Sequence, residues 1–200
     1  MKVIKNKMHI LLTRQLEDCS DLIIRFTKLG HMVSHLPLLN IEKVLYDYKK
    51  LEDCKGIIFT SANAIKFLDV KDINKNIKCF CVGSATEKKA KSVGFQNVIS
   101  AEGNVRNLKE LILQNFSPSD GNLIYISGEI ISSDLDKQLI SEGFSLKRII
   151  NYKTHHNQEY MDNFSKKLKL NMPEIVYIYS YNSALSFLNF IKKEGIESMW

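Results

Sequence analysis

Short apolar runs recur along the chain, and each closes on small polar residues: "MHILLT" (8–13), "GIIFTS" (56–61), "CFCVGS" (79–84), "NLIYIS" (122–127) and "EIVYIYS" (174–180). Runs of this length and composition read as buried strands. Around them a second pattern repeats, in which a helical stretch ends at glycine and a further apolar run comes after it. It appears as "DLIIRFTKLGHMVSHLPLL", "EKKAKSVGFQNVI", "LDKQLISEGFSLKRII" and "ALSFLNFIKKEGIESMW", with Gly30, Gly94, Gly143 and Gly195 at the helix ends. Glycine suits that place because many helices finish on a left-handed residue, a conformation that a Cβ makes costly. Strands alternating with helices predict an α/β fold, with parallel sheets flanked by helices and right-handed crossovers.

The polar ends of the strands carry the chemistry. Thr13, Thr60-Ser61, Gly83-Ser84, Ser127-Gly128 and Ser180 stand where a strand gives way to the next element. In open α/β sheets the carboxyl ends of the strands line the ligand crevice. The first turn of the next helix offers unpaired N–H groups and a positive dipole end to a carboxylate or phosphate. One such corner is written twice, as "GIIFTSANAIKFL" (56–68) and "VYIYSYNSALSFL" (176–188), so that Ser61-x-Asn63 is answered by Ser180-x-Asn182. The same residue types are ordinary helix N-caps, which is the competing reading of any single corner.

Two extended segments, "SHLPLLNIEKV" (34–44) and "KRIINYKTHH" (147–156), read as crossings between two lobes. Residues 40–150 would form an inserted α/β lobe, and residues 1–36 plus 155–200 an outer one. A two-stranded β-ladder linker would join them, with the duplicated serine corners in different lobes facing a shared cleft. After Gly195 the rhythm calls for another strand, and "IESMW" only begins one. The outer lobe is therefore expected to be incomplete at its C-terminal side.

Composition narrows the field. The 200 residues hold 28 basic and 22 acidic side chains, a net charge of +6 scattered over runs such as "EKKAKS" and "SKKLKL". That favours an anionic partner, but no basic-aromatic platform for nucleic acid is present. The apolar run near the amino terminus is too short for a signal-peptide core, and no stretch matches a membrane span, so a soluble cytoplasmic protein is expected. Cys19, Cys54, Cys79 and Cys81 show no metal or disulfide spacing and read as buried reduced thiols, with Cys79 and Cys81 on one strand face. His9, His31, His35 and the adjacent His155-His156 do not suggest a shared metal. Neither a G-x-G-x-x-G nor a G-x-x-x-x-G-K-[ST] motif occurs, which disfavours a nucleotide-dependent enzyme.

Taken in order, "LLTRQ", "IIFTSANAIKF", "CVGSATEKKAKSVGF", "LIYISGEIISSDLDKQLISEGFSLKRIINYKT" and "VYIYSYNSALSFL" resemble the uroporphyrinogen-III synthase family over nearly the whole chain. The resemblance implies two α/β lobes and a cofactor-free cyclising lyase of heme biosynthesis, with no metal. Its substrate would be hydroxymethylbilane, a linear polycarboxylate tetrapyrrole. The bilane loses its hydroxyl, inverts its terminal ring and closes to uroporphyrinogen III, by way of an azafulvene cation and a spiro intermediate. Carried over by position, Tyr152 of "INYKT" would assist departure of the hydroxyl, and Thr86 would be the second catalytic candidate. Thr60, Ser61, Asn63, Gly83, Ser84, Ser127, Ser180 and Arg14 would bind substrate, although Gln15 stands where the family's turn has proline. At Ser127 the neighbouring Glu129 is ill suited to an anion. A monomer is expected, with self-association through the outer lobe as the other possibility. The rival reading is a non-catalytic two-lobe binder of an anionic small molecule, using the same cups.

Overall fold

The computed structural model describes residues 7–71 and 73–197; residues 1–6 and the end of "IESMW" (198–200) lie outside the described residues. In chain order the elements are β1 (His9–Leu12), α1 (Leu16–Lys28), β2 (Met32–His35), β3 (Leu39–Lys43), β4 (Cys54–Phe59) and α2 (Ala62–Lys66). Next come β5 (Lys78–Val82), α3 (Gly83–Ser92), β6 (Asn97–Ala101), α4 (Val105–Asn115) and β7 (Asn122–Gly128). The chain continues through α5 (Leu135–Ser141), β8 (Leu146–His156), α6 (Gln158–Leu170), β9 (Ile175–Tyr177) and α7 (Tyr181–Glu194). It divides into two compact units, Met1–Asn40 with His155–Trp200, and Ile41–Thr154.

The second unit is built on a six-stranded sheet in the order β3-β8-β7-β4-β5-β6, and β8 through β6 run parallel. Alternation of side chains across each strand splits its core in two. Ile57, Phe59, Cys79, Cys81, Ile124 and Ile126 point to the face covered by Ala64 and Ile65 of α2 and Ala90 of α3. Ile58, Phe80, Leu123 and Tyr125 point to the opposite face, under Leu108 and Ile112 of α4 and Leu135 and Leu139 of α5. Burial of each large apolar side chain contributes about 1.5–3 kcal/mol. The route through this sheet reverses at its middle. From β4 the chain steps to β5 and β6 on one side, then returns to β7 and β8 on the other. The gap between the ends of β4 and β7 is thus a topological switch point.

The first unit repeats the scheme in miniature, with a parallel sheet in the order β2-β1-β9. Ile10 and Leu12 pack with Cys19 and the apolar stripe of α1, while Leu11 packs with Phe187, Phe190 and Ile191 of α7 and Leu168 of α6. Its switch point lies between β1 and β9.

The four glycines that were expected to end helices, Gly30, Gly94, Gly143 and Gly195, have φ of 87°, 102°, 88° and 63°. Helix α4 departs from that rhythm: it ends at Phe116 in extended conformation, without a glycine. No described helix is long and apolar enough to cross a membrane.

Candidate functional site

At the switch point of the second unit, β4 delivers Thr60 and Ser61 and β7 delivers Ser127 and Gly128. Ser61 is extended (φ −152°) and caps α2, its hydroxyl accepting from the Asn63 amide at 3.2 Å. Thr60 Oγ1 lies 3.0 Å from the hydroxyl of Tyr125, which stands two residues before Ser127 on the same face of β7. Burial pushes the Tyr125 phenol above its ordinary value, and the bond to Thr60 opposes that rise. Asn63 is half-buried in the first turn of α2.

Ser127 lies near the end of β7. Its hydroxyl is buried, and it accepts from Arg148 Nε at 2.8 Å while donating to the Gly128 carbonyl at 3.0 Å. Arg148 Nη2 also donates to the Gly128 carbonyl (2.7 Å) and to the Glu129 carbonyl (2.8 Å). The basic group that "SGEII" lacks is supplied by the neighbouring strand. Tyr152 stands opposite Gly128 in the β7–β8 register, and its carbonyl accepts from the Glu129 amide at 2.9 Å. A Cβ placed on Gly128 would lie 2.7 Å from Cε2 and Cζ of Tyr152 and 3.0 Å from its hydroxyl oxygen, so the phenol rests against bare glycine backbone. The same strand contributes Asn151, fully buried, whose side-chain amide donates to the Ala64 carbonyl of α2 at 2.6 Å. Three neighbouring polar positions of β8 therefore hold the two corners: Arg148 the end of β7, Asn151 the helix after β4, and Tyr152 the surface of Gly128.

Helix α3 starts directly at Gly83, which takes φ of 77°, and Ser84 is exposed in its first turn. The N-cap is Val82, without a side-chain bond, and Thr86 lies inside the helix on the buried face it shares with Ala90.

In the first unit the second corner lies beside its own switch point. Thr13 Oγ1 donates to the Tyr177 carbonyl at 2.7 Å, tying the ends of β1 and β9. Ser180 (φ −156°) caps α7, accepting from the Ser183 amide at 3.2 Å, and its hydroxyl lies 2.9 Å from that of Ser183. The duplicated motif is thus a duplicated serine N-cap. Arg14 is exposed, with its guanidinium 4.7 Å from the ring centre of Tyr179. Gln15, standing in place of proline, caps α1 by backbone only and donates through its side chain to the Leu39 carbonyl. Burial raises the Tyr179 phenol, and nearby Cys19 adds to the shift.

Cys79 and Cys81 share one face of β5 with their sulfurs 3.8 Å apart, and the hydrogen bond with Cys81, together with burial, pushes the Cys79 thiol up. Burial likewise pushes Cys54 up to about 12. Thiols held protonated in this way are poor ligands and nucleophiles. Among the described residues no group of three or more His, Cys, Asp or Glu is placed to hold a metal ion.

Sequence reading missed Arg148, Tyr125 and Asn151 altogether, and it gave Gly128 no contact of its own. All lie in "LIYISG" and "KRIINY", but their significance depends on which residue of β7 faces which residue of β8. No local pattern states that.

The likeness to solved structures agrees with this architecture. One is a mutant uroporphyrinogen III synthase from the extremely thermophilic bacterium Thermus thermophilus, with 12% identity over 92% of this chain and 77% of that one, at a TM-score of 0.63. Another is the uroporphyrinogen-III synthetase of Helicobacter pylori 26695, with 16% identity, the same 92% of this chain, 78% of that one and a TM-score of 0.56. At such identities the likeness speaks for the fold alone. No curated protein matches the sequence. A family model covering most of the chain settles the class, which is that of the cyclising lyases of tetrapyrrole synthesis. That model, described as "Uroporphyrinogen-III synthase HemD", matches residues 20–200, and the chain belongs to the uroporphyrinogen-III synthase family.

Proposed function

We propose that the chain closes hydroxymethylbilane to uroporphyrinogen III by holding the acid arms of the bilane at its capped corners and by aiming the Tyr152 phenol at the departing hydroxyl. The observation that carries the reading is the placement of Tyr152 against Gly128, at the carboxyl end of β7 and next to the switch point where Thr60 and Ser61 stand. A phenol there donates a hydrogen bond to the hydroxyl as the C–O bond breaks. Water leaves, an azafulvene cation remains, and closure through the spiro intermediate returns the terminal ring inverted. The bilane is reactive in itself, so the protein's share is mainly orientation. Thr60, Ser61, Asn63, Gly83 and Ser84 are the proposed substrate contacts of the second unit, and Ser180 and Arg14 those of the first. Ser127 acts at one remove, through Arg148. Thr86, on the buried face of α3, is the second proposed catalytic group.

The two units are read as the lobes, with β3 and β8 carrying the chain between them. The protein is read as a cytoplasmic monomer that works without a cofactor.

The test is to supply hydroxymethylbilane and resolve the uroporphyrin isomers after oxidation. Isomer III in excess of isomer I is expected. Isomer I alone would sink the proposal and leave the non-catalytic binder.

A further inference from the structure

We propose that Arg148 is a positioning residue for Tyr152 and acts through Gly128; the inference rests on the role given above to the Tyr152 phenol. The Gly128 carbonyl is gripped from two sides, by Arg148 Nη2 at 2.7 Å and by the Ser127 hydroxyl at 3.0 Å, and that hydroxyl is itself held by Arg148 Nε at 2.8 Å. The next carbonyl, Glu129, accepts from the same Nη2 at 2.8 Å. One guanidinium therefore fixes consecutive groups of the strand end against which the Tyr152 ring lies. The Glu129 amide closes the loop by donating to the Tyr152 carbonyl at 2.9 Å. The β7–β8 register is irregular between Ser127 and Gly128: Ser127 pairs with Ile150, and Gly128 with Tyr152. The Gly128–Glu129 peptide is thus held on its N–H side by the Tyr152 carbonyl and on its C=O side by the guanidinium, at the point where the strand pairing is irregular. Lysine cannot replace the guanidinium, because the geometry needs a planar fork that reaches a hydroxyl and two carbonyls together.

Tyr152 is half-buried on the face of the Ile57–Phe59 core, and its ring lies against the Gly128 backbone. Arg148 grips the carbonyl of that same glycine. The two side chains are thus linked through one peptide, and Arg148 influences the reacting atoms by way of it.

The experiment is a two-by-two set in the full chain: wild type, Arg148→Lys, Tyr152→Phe and the double variant, each assayed for kcat, KM and isomer ratio with hydroxymethylbilane. Tyr152→Phe is expected to lower kcat about 100-fold, as loss of a general acid does. Arg148→Lys should lower kcat about 10-fold or more, since displacement of a reacting group by about 1 Å costs up to 100-fold, with KM within about twofold. The double variant should match Tyr152→Phe within about twofold, because a misplaced phenylalanine has no hydroxyl left to misplace. Wild-type kcat in Arg148→Lys, or a double variant in which the separate losses multiply, would overturn the inference while leaving Tyr152 in the mechanism. Full turnover by Tyr152→Phe would instead remove the role of Tyr152 and the inference with it. If Arg148→Lys does not fold, Arg148→Gln takes its place in the same set, with the same outcomes deciding.

Discussion

Replacing Gly128 with alanine tests the packing of Tyr152 without removing a polar group. The added methyl would stand 2.7 Å from two ring carbons and 3.0 Å from the phenol oxygen. Carbon atoms settle at about 3.5–4.0 Å, so the ring or the strand must move by about 1 Å. The strand is the stiffer partner, because Arg148 holds the Gly128 and Glu129 carbonyls; the ring therefore gives way. Overpacking of this kind costs about 1–3 kcal/mol, which for a chain of this size lowers Tm by about 2–12 °C. Turnover should suffer far more than stability. A reacting group shifted by about 1 Å loses on the order of 100-fold in rate, while the substrate corners at Thr60 and Ser61 are untouched, so KM should hardly change. The assay is the isomer-resolved conversion of hydroxymethylbilane at temperatures below the variant's Tm. Gly128→Ala with wild-type kcat would refute the reasoning, as would a fall in kcat that merely tracks the unfolded fraction.

Two further outcomes are expected. Ser180→Ala removes the hydroxyl that caps α7 and should cost about 1 kcal/mol by denaturant unfolding; an unchanged midpoint would show that the cap contributes nothing. The Glu174 carboxylate accepts from the His9 amide, which holds its pKa below the ordinary value. A depressed carboxylate stabilises the fold above its unfolded pKa of about 4.3, and that contribution is lost as pH falls through the lower folded value. Glu174→Gln should therefore flatten the acid limb of a Tm-against-pH curve below about pH 4, and an unaltered curve would contradict this.

Legibility in the sequence tracked the range of the interactions. Helix ends at Gly30, Gly94, Gly143 and Gly195 were visible because a left-handed residue is a local demand, and α4 escaped because it ends without one. The capped corners at Ser61 and Ser180 were visible for the same reason, and alternation alone placed Cys79 and Cys81 on one face. The burial of Thr86 was hidden, because Gly83 starts the helix so early that the threonine falls inside it. Arg148, Asn151 and the packing of Gly128 were hidden because they depend on partners far along the chain (Ser127, Ala64 and Tyr152) and on an irregular register that no local pattern encodes.

The spacing of polar side chains along β8 has a consequence for how this chain can vary. Arg148, Asn151 and Tyr152 each serve a different neighbour, and their faces are set by counting residues along one strand. A single insertion or deletion there would exchange inward for outward positions and release all three grips together. The largely exposed stretch 130–134 between β7 and α5 carries no such count and should accept added length readily. Tolerance to changes in length is thus sharply divided between two segments that lie close together in the chain.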